Sequence, residues 1–202
     1  MEVLYLTWEE ALKLCYSLAE KVMESGMDFD AIVTISRGGL VPARIVSDVL
    51  GVDELFVVRS KFWGIGGKVY AEPKVSIHEG LSVNRKKTLI VDEVVDTGAT
   101  MSKVVRLVKD FGASEVRTAV LHYKSTSSLT PDFYVEKVEN WVWIFYPWSF
   151  SETLYGLAKA RGSSEDLIKE ALKLLNELKA SNTPLSNEAL MKSLNLYLKK
   201  VG

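Results

Sequence analysis

The chain has 202 residues, 48% of them apolar, and its 25 basic side chains nearly balance 26 acidic ones. This length suffices for one substantial domain with a small appendage, and the balanced charge gives no bulk field that would favour a nucleic acid or an anionic membrane. A single cysteine, no signal-peptide pattern and no apolar run near about 18 residues predict a cytoplasmic protein without membrane spans.

The first predicted helix begins at Thr7 and ends near Gly26. Thr7 and Glu10 have the spacing of a capping box, and apolar residues recur on one face of the helix that follows. Cys15 is among them, and we expect it to be buried. The helix is predicted to pack against the domain and to take no part in chemistry.

A second apolar segment, 31–35, is followed at once by a loop of small residues. The segment is typical of a strand covered on both faces, and the helix after the loop has Pro42 in its first turn and ends near Leu50. The loop consists of Ser36, Arg37, Gly38 and Gly39. Its N–H groups and its arginine could hold a phosphate-like group, although an ordinary tight turn would use the same residues.

A long glycine-containing segment follows the next predicted strand, 54–60. Residues 61–79 show weak periodicity, and although 74–77 could pair briefly, the segment is too long for an idle connection. A hinged loop of this kind could close over a site and exclude water. Lys61, at its start, is a candidate contact for a phosphate group, with a solvated lysine as the alternative.

The central segment joins an uninterrupted apolar strand to two carboxylates. Leu89 to Val91 are typical of a parallel strand covered on both faces. Asp92 and Glu93 follow at its carboxyl end, where open α/β sheets bind ligands. The two carboxylates repel each other, and Mg²⁺ or sugar hydroxyls facing them would relieve that repulsion. A solvated loop is the alternative.

The next residues form a candidate phosphate loop. They are Asp96, Thr97, Gly98, Ala99 and Thr100, and a helix is predicted directly after them, over 101–111. The glycine permits close backbone approach, the two hydroxyls can donate hydrogen bonds, and the N-terminus of a helix favours an anion. For Asp96 the alternative is a plain helix N-cap.

Beyond this helix, the sequence predicts a strand and then an aromatic run. The strand covers 115–122, with Lys124 near its carboxyl end, and a polar loop reaches Pro131. The run 141–148 contains Trp141 and Trp143 and is predicted as the last strand of the sheet. Its aromatic side chains could belong to the core or to a ligand pocket.

The composition changes after residue 150, where helical spacing of apolar residues predicts three short helices. We therefore divide the chain into a domain, 1–150, and a C-terminal helical bundle, 151–202. Three helices could instead form a helix-turn-helix that binds DNA, but eight basic against six acidic residues in this segment do not make a DNA-binding face. We expect the bundle to pack beside the pocket, and no nucleic-acid partner.

The strand, acidic pair and loop of residues 88–100 together resemble the signature of type I phosphoribosyltransferases that binds phosphoribosyl pyrophosphate (PRPP). The resemblance covers about residues 1–150. It implies an α/β fold with a mostly parallel sheet of about five strands flanked by helices, here followed by a three-helix appendage. It also implies Mg²⁺ as cofactor and transfer of the phosphoribosyl group from PRPP to a purine base, giving a nucleoside monophosphate and pyrophosphate. We also expect a homodimer.

The resemblance further implies a role for each candidate residue. Asp92 and Glu93 would face the ribose hydroxyls and the Mg²⁺, and Asp96 would act at N7 of the base. The 5′-phosphate would be held by Asp96, Thr97, Gly98, Ala99 and Thr100. Pyrophosphate would be held by Ser36, Arg37, Gly38 and Gly39, with a cis peptide bond between Ser36 and Arg37. Lys61 would also contact it, from the loop 61–79 that corresponds to the family's mobile hood. The base would contact Lys124, Trp143 and Ile144.

Two resemblances disagree about the base. Lys124 and Asp96 match positions that 6-oxopurine enzymes use, the lysine donating to a carbonyl at C6, and the arrangement W-I-x-x-P-W from Trp143 resembles their purine pocket. The whole chain, tail included, is similar to archaeal adenine phosphoribosyltransferases. We expect adenine as the base. The alternatives are a hypoxanthine/guanine enzyme and a PRPP-binding regulator without catalysis.

Overall fold

The computed structural model describes residues 2–61, 63–64, 67–68, 72–77, 80–161, 167–178, 180 and 184–201. The strands in these parts of the chain are β1 (Val3–Tyr5), β2 (Ala31–Ser36), β3 (Leu55–Lys61), β4 (Trp63–Gly64), β5 (Gly67–Lys68), β6 (Lys74–Ile77), β7 (Lys87–Val95), β8 (Glu115–Lys124), β9 (Phe133–Val138) and β10 (Trp143–Phe145). The α-helices are α1 (Trp8–Glu24), α2 (Leu40–Leu50), α3 (Ala99–Asp110), α4 (Phe150–Arg161), α5 (Leu167–Glu177) and α6 (Asn187–Val201), and a 3₁₀ helix covers Pro147–Ser149.

The main sheet has six strands in the order β6-β3-β2-β7-β8-β9. Five of them are parallel neighbours, and β6 adds an antiparallel edge next to β3. The predicted α/β fold with a mostly parallel sheet is therefore confirmed. Because β2 pairs directly with β7, with Thr34 opposite Val91, the loops that follow these two strands lie side by side.

Helices cover both faces of this sheet. Alternate strand residues, such as Ile32 and Leu89, pack against α1 and α2, and their neighbours, such as Val33 and Ile90, pack against α3. The predicted capping box at the start of α1 is present, and Cys15 is fully buried. The uninterrupted apolar strands thus reflect coverage on both sides.

The aromatic strand β10 lies outside the main sheet, which corrects the sequence prediction. Its residues Trp143–Phe145 pair in parallel with β1 as a separate two-stranded ribbon. The edge position belongs to β9, which the sequence analysis did not predict, because its side chains are half-buried or exposed and give no apolar run. Helix α3 also begins earlier than predicted, at Ala99.

The C-terminal helices have an apolar core of their own. Leu154, Leu167, Leu174 and Leu190 are buried in it, together with Phe145 from the aromatic strand. The bundle therefore packs on the β1–β10 ribbon. In the described parts of the chain, no helix is both long and apolar enough to cross a membrane.

Only part of the predicted hood is described. Residues 63–64, 67–68 and 74–77 form strands there, and the last of these pairs with β3 as the sequence suggested. Lys61 ends β3, and its side chain lies outside what the structure describes.

Candidate active site

A cleft of about 1010 Å³ opens at the carboxyl end of the parallel strands. Its walls come from the loops after β2 and β7, the end of β8, the aromatic strand and the start of α4. The predicted site residues that line it are Ser36, Arg37, Gly38, Asp92, Glu93, Asp96, Thr97, Gly98, Thr100, Lys124, Trp143 and Ile144. The fold thus brings together residues that are up to about a hundred positions apart in the sequence.

The acidic pair lies half-buried in the floor of the cleft. Oδ1 of Asp92 accepts a hydrogen bond from the backbone N–H of Glu93 at 2.8 Å, and the indole N–H of Trp148 donates to the Glu93 carboxylate. Burial, and then the charge of Glu93, raise the pKa of Asp92 well above its usual range. Burial raises the pKa of Glu93 to about 7. The pair therefore holds protons more readily than free carboxylates do.

The two carboxylates at this edge of the sheet could supply only some of the ligands that a divalent cation needs. Within the described residues, no group of three or more His, Cys, Asp or Glu side chains could hold a metal ion. Mg²⁺ commonly binds one or two carboxylates and takes its other ligands from water and substrate phosphates. Asp92 and Glu93 would fit such a partly substrate-bound ion, and not a closed protein cage.

The candidate phosphate loop ends at Gly98, the N-cap of α3, whose φ is +83°. Gly98 has no side chain to cap this helix end, and the Thr97 hydroxyl accepts from the Ala99 N–H only at 3.5 Å. Asp96 is therefore not the N-cap, and that alternative is wrong. The loop is supported from behind, because Ser128 donates to the carbonyl of Thr97 through its N–H at 3.2 Å and its hydroxyl at 3.0 Å. A Cβ on Gly98 would lie 2.7 Å from the Ser127 hydroxyl. Both the positive φ and this close approach require glycine.

The loop after β2 is packed tightly against the acidic pair. The peptide bond between Ser36 and Arg37 is cis, as predicted. Gly38 lies directly against the carboxylate of Glu93, and a Cβ on Gly39 would lie 2.7 Å from the Thr34 hydroxyl and the Val91 carbonyl. The loop therefore lies against the carboxylate of Glu93, and the Gly39 N–H donates to the Ile35 carbonyl at 3.0 Å.

Lys124 and Asp96 form an ion pair at the far end of the cleft. Nζ of Lys124 lies 3.0 Å from Oδ2 of Asp96 and 4.6 Å from the ring centre of Trp141. Lys124 is 5% exposed, so its ammonium group interacts mainly with these two side chains and little with water. Trp143 and Ile144 line the cleft beside them.

A buried chain of hydrogen bonds, which the sequence analysis missed, supports the acidic pair. The hydroxyl of Tyr146 donates to the backbone carbonyl of Glu93 at 2.9 Å and lies 2.8 Å from Nδ1 of His122. Because the hydroxyl has one proton, Nδ1 is the donor in the second bond. Nε2 lies 3.3 Å from the Glu136 carboxylate without a hydrogen-bond geometry. Burial lowers the pKa of His122, so the neutral ring is favoured.

Several cleft residues gave no signal in the sequence. Arg59 and Ser60 line it from β3, and Glu152, Thr153 and Gly156 line it from α4. Nη2 of the Arg37 guanidinium lies 2.6 Å from both carboxylate oxygens of Glu152. The change in composition after residue 150 marked where the tail began, but nothing local could indicate that its first turn faces a loop more than a hundred residues away.

The chain belongs to the phosphoribosyltransferases: the family model of the phosphoribosyl transferase domain matches residues 4–153. A xanthine-guanine phosphoribosyltransferase of Nitratidesulfovibrio vulgaris (strain DP4) is 29% identical over 159 residues, which cover 76% of this chain and 88% of the relative. The enzyme of the same name from Gluconobacter oxydans (strain 621H) is 31% identical over 146 residues, covering 71% and 82%.

Solved structures agree with this assignment. A purine phosphoribosyltransferase from Pyrococcus horikoshii Ot3 superimposes with a TM-score of 0.62 at 39% identity, covering 73% of this chain and 94% of that one. The prediction of a type I purine phosphoribosyltransferase, and of an enzyme, is confirmed. The two bacterial relatives are named for xanthine and guanine.

Proposed function

We propose that this enzyme transfers the 5-phosphoribosyl group of PRPP to N9 of a 6-oxopurine: hypoxanthine, guanine or xanthine. The observation that carries the proposal is the ion pair of Lys124 with Asp96, with 3.0 Å between Nζ and Oδ2, in the cleft that Trp143 also lines. The names of the two bacterial relatives support the same choice of base.

The choice of base follows from hydrogen-bond polarity. An ammonium group has donors and no acceptor, so Lys124 suits the carbonyl at C6 of an oxopurine and opposes the amino group of adenine. A site built around one hydrogen-bonding pattern discriminates by roughly 10⁴ or more against the wrong one. The lysine is nearly buried, so water does not readily replace the missing acceptor. This proposal replaces the adenine preference expected from the whole sequence.

The reaction exchanges one bond at C1′ of the ribose for another. The bond from C1′ to the pyrophosphate oxygen breaks, the bond from C1′ to N9 forms, and the base loses a proton. Positive charge develops on the sugar, so stabilisation is mainly electrostatic. One Asp96 oxygen is held by Lys124, which leaves the other free to hydrogen-bond or exchange a proton at N7.

The remaining residues would bind the parts of PRPP. The 5′-phosphate would bind to residues 97–100 at the start of α3, where the helix end is uncapped and favours an anion. The acidic pair would accept from the ribose hydroxyls, and the loop 36–39 would hold pyrophosphate. Mg²⁺, held by Asp92 and Glu93 together with substrate oxygens, would neutralise the leaving group.

Initial rates with hypoxanthine, guanine, xanthine and adenine, at saturating PRPP and Mg²⁺, test this proposal. We expect at least one oxopurine to be preferred strongly over adenine. Lys124→Met should lower kcat/KM for that oxopurine by roughly 10- to 100-fold, since a hydrogen bond to a charged group is worth about 1.5–3 kcal/mol. Lys109→Met, which removes an exposed lysine at the end of α3, is the control. A preference for adenine would overturn the proposal.

A further inference from the structure

An ion pair joins the C-terminal bundle to the loop proposed for pyrophosphate. Nη2 of Arg37 lies 2.6 Å from Oε1 and 2.6 Å from Oε2 of Glu152, in the first turn of α4. Both residues line the cleft. The guanidinium is 71% exposed, whereas the carboxylate is 28% exposed. The tail thus contributes a carboxylate to the part of the site that must receive a highly charged anion.

The position of Glu152 is fixed by its surroundings. The next three residues, Thr153, Leu154 and Tyr155, are buried, and the hydroxyls of Thr153 and Ser149 lie 3.0 Å apart. The backbone of Glu152 therefore cannot move away from the loop without disturbing the bundle core.

We propose, as an extension of the proposed function, that Glu152 is a positioning residue that competes with pyrophosphate for Arg37. With Glu152 engaged, the guanidinium is already neutralised, and an incoming pyrophosphate group must replace the carboxylate and approach its charge. The contact thereby weakens binding of PRPP and pyrophosphate and favours release of pyrophosphate. It has no such effect on a nucleoside monophosphate, which carries no pyrophosphate group.

Glu152→Gln tests this inference, because it removes the charge and keeps the shape. We expect calorimetry to give roughly two- to fivefold tighter binding of Mg²⁺-pyrophosphate and of PRPP than in the wild type, a gain typical of losing one partly exposed charge. The gain should shrink between about 50 mM and about 500 mM salt, as screening increases. Affinity for the nucleoside monophosphate should stay unchanged. Glu152→Asp, which keeps the charge, should stay near the wild type.

The matched control is Glu177→Gln, which breaks a comparable ion pair with Arg161, at 2.5 Å, elsewhere in the bundle. It should leave pyrophosphate affinity unchanged. If Glu152→Gln binds pyrophosphate equally or more weakly, Glu152 does not compete for Arg37 and the inference is wrong, although the proposed function stands. If the wild type binds neither PRPP nor pyrophosphate, the proposed function itself fails and the inference fails with it.

Discussion

Gly38 lies so close to the carboxylate of Glu93 that no Cβ would fit between them. The loop after β2 and the acidic pair, which lies within β7, are therefore a single packed unit. A side chain at residue 38 has to displace the Glu93 side chain, which is also held by the indole of Trp148. The Glu93 side chain can rotate away without a shift of the backbone.

The first prediction compares the two glycines of this loop. Gly38→Ala should lower kcat/KM at least tenfold, because its Cβ displaces the Glu93 carboxylate. Thermal stability should change little, because only that side chain has to move. Gly39→Ala should destabilise the fold by about 1–3 kcal/mol, the usual cost of overpacking, since its Cβ would lie 2.7 Å from the Val91 backbone carbonyl and 2.9 Å from that of Ile35. Steady-state kinetics and denaturant unfolding measure the two effects. Equal loss of stability in both variants would contradict this reading.

The second prediction concerns the acidic pair. Asp92→Asn combined with Glu93→Gln should reduce turnover strongly, because we expect these carboxylates to bind the ligand. The protein should stay folded, because the two carboxylates repel each other and do not stabilise the fold. Circular dichroism and unfolding curves should show stability equal to the wild type or higher. Unchanged kinetics in the double variant would sink the assignment of these residues to PRPP.

The third prediction is a pH dependence. Glu93 has an ordinary pKa of 4.5 and a folded-state pKa of about 7, so between these values the folded state binds more protons than the unfolded state. The free energy of unfolding therefore falls as pH rises through this window. His122 contributes in the opposite direction, because burial lowers its pKa. Subtracting the Glu93→Gln curve from the wild-type curve gives the contribution of Glu93 together with its effect on Asp92, whose pKa the charge of Glu93 also raises. Both lower the free energy of unfolding as pH rises, so a difference that rises with pH would contradict the raised pKa of Glu93.

The fourth prediction separates the phosphate loop from the base pocket. Thr100→Val should weaken binding of a nucleoside monophosphate by about 1.5–3 kcal/mol, the worth of a hydroxyl bond to a charged group. The relative rates with the four bases should not change. Ser102→Ala, one position beyond the first turn on the same helix, is the control, and calorimetry is the measurement. Normal nucleotide affinity in Thr100→Val would mean that the loop does not hold the 5′-phosphate.

The fifth prediction addresses the bundle. Removing 151–202 should abolish activity, because Phe145, the neighbour of Ile144 in the cleft, is fully buried in the core that the bundle forms. Leu174→Ala, at a fully buried position of the same core, should cost about 2–5 kcal/mol. A truncated protein that is folded and fully active would show that the bundle is independent of the site.

The sequence predicted the features that depend on local patterns. Buried strands such as 89–91 give uninterrupted apolar runs, and the loops beside them carry glycines and hydroxyls at fixed offsets, so the acidic pair and both anion loops could be located. The β1–β10 pairing joins residues about 140 positions apart, and nothing within either three-residue strand specifies its partner. The same holds for Glu152 and Arg37, and for Tyr146 and Glu93. The homodimer, the cytoplasmic location and the absence of a nucleic-acid partner remain predictions.

The β1–β10 ribbon has one further consequence. Ile144 lines the cleft, while Phe145, the next residue of the same strand, lies in the core of the bundle. A change in the packing of the tail would therefore move the backbone at Ile144, in the proposed base pocket, without altering any residue that lines the pocket. Exchanging the bundle for that of another enzyme would be a way to retune base preference from outside the pocket.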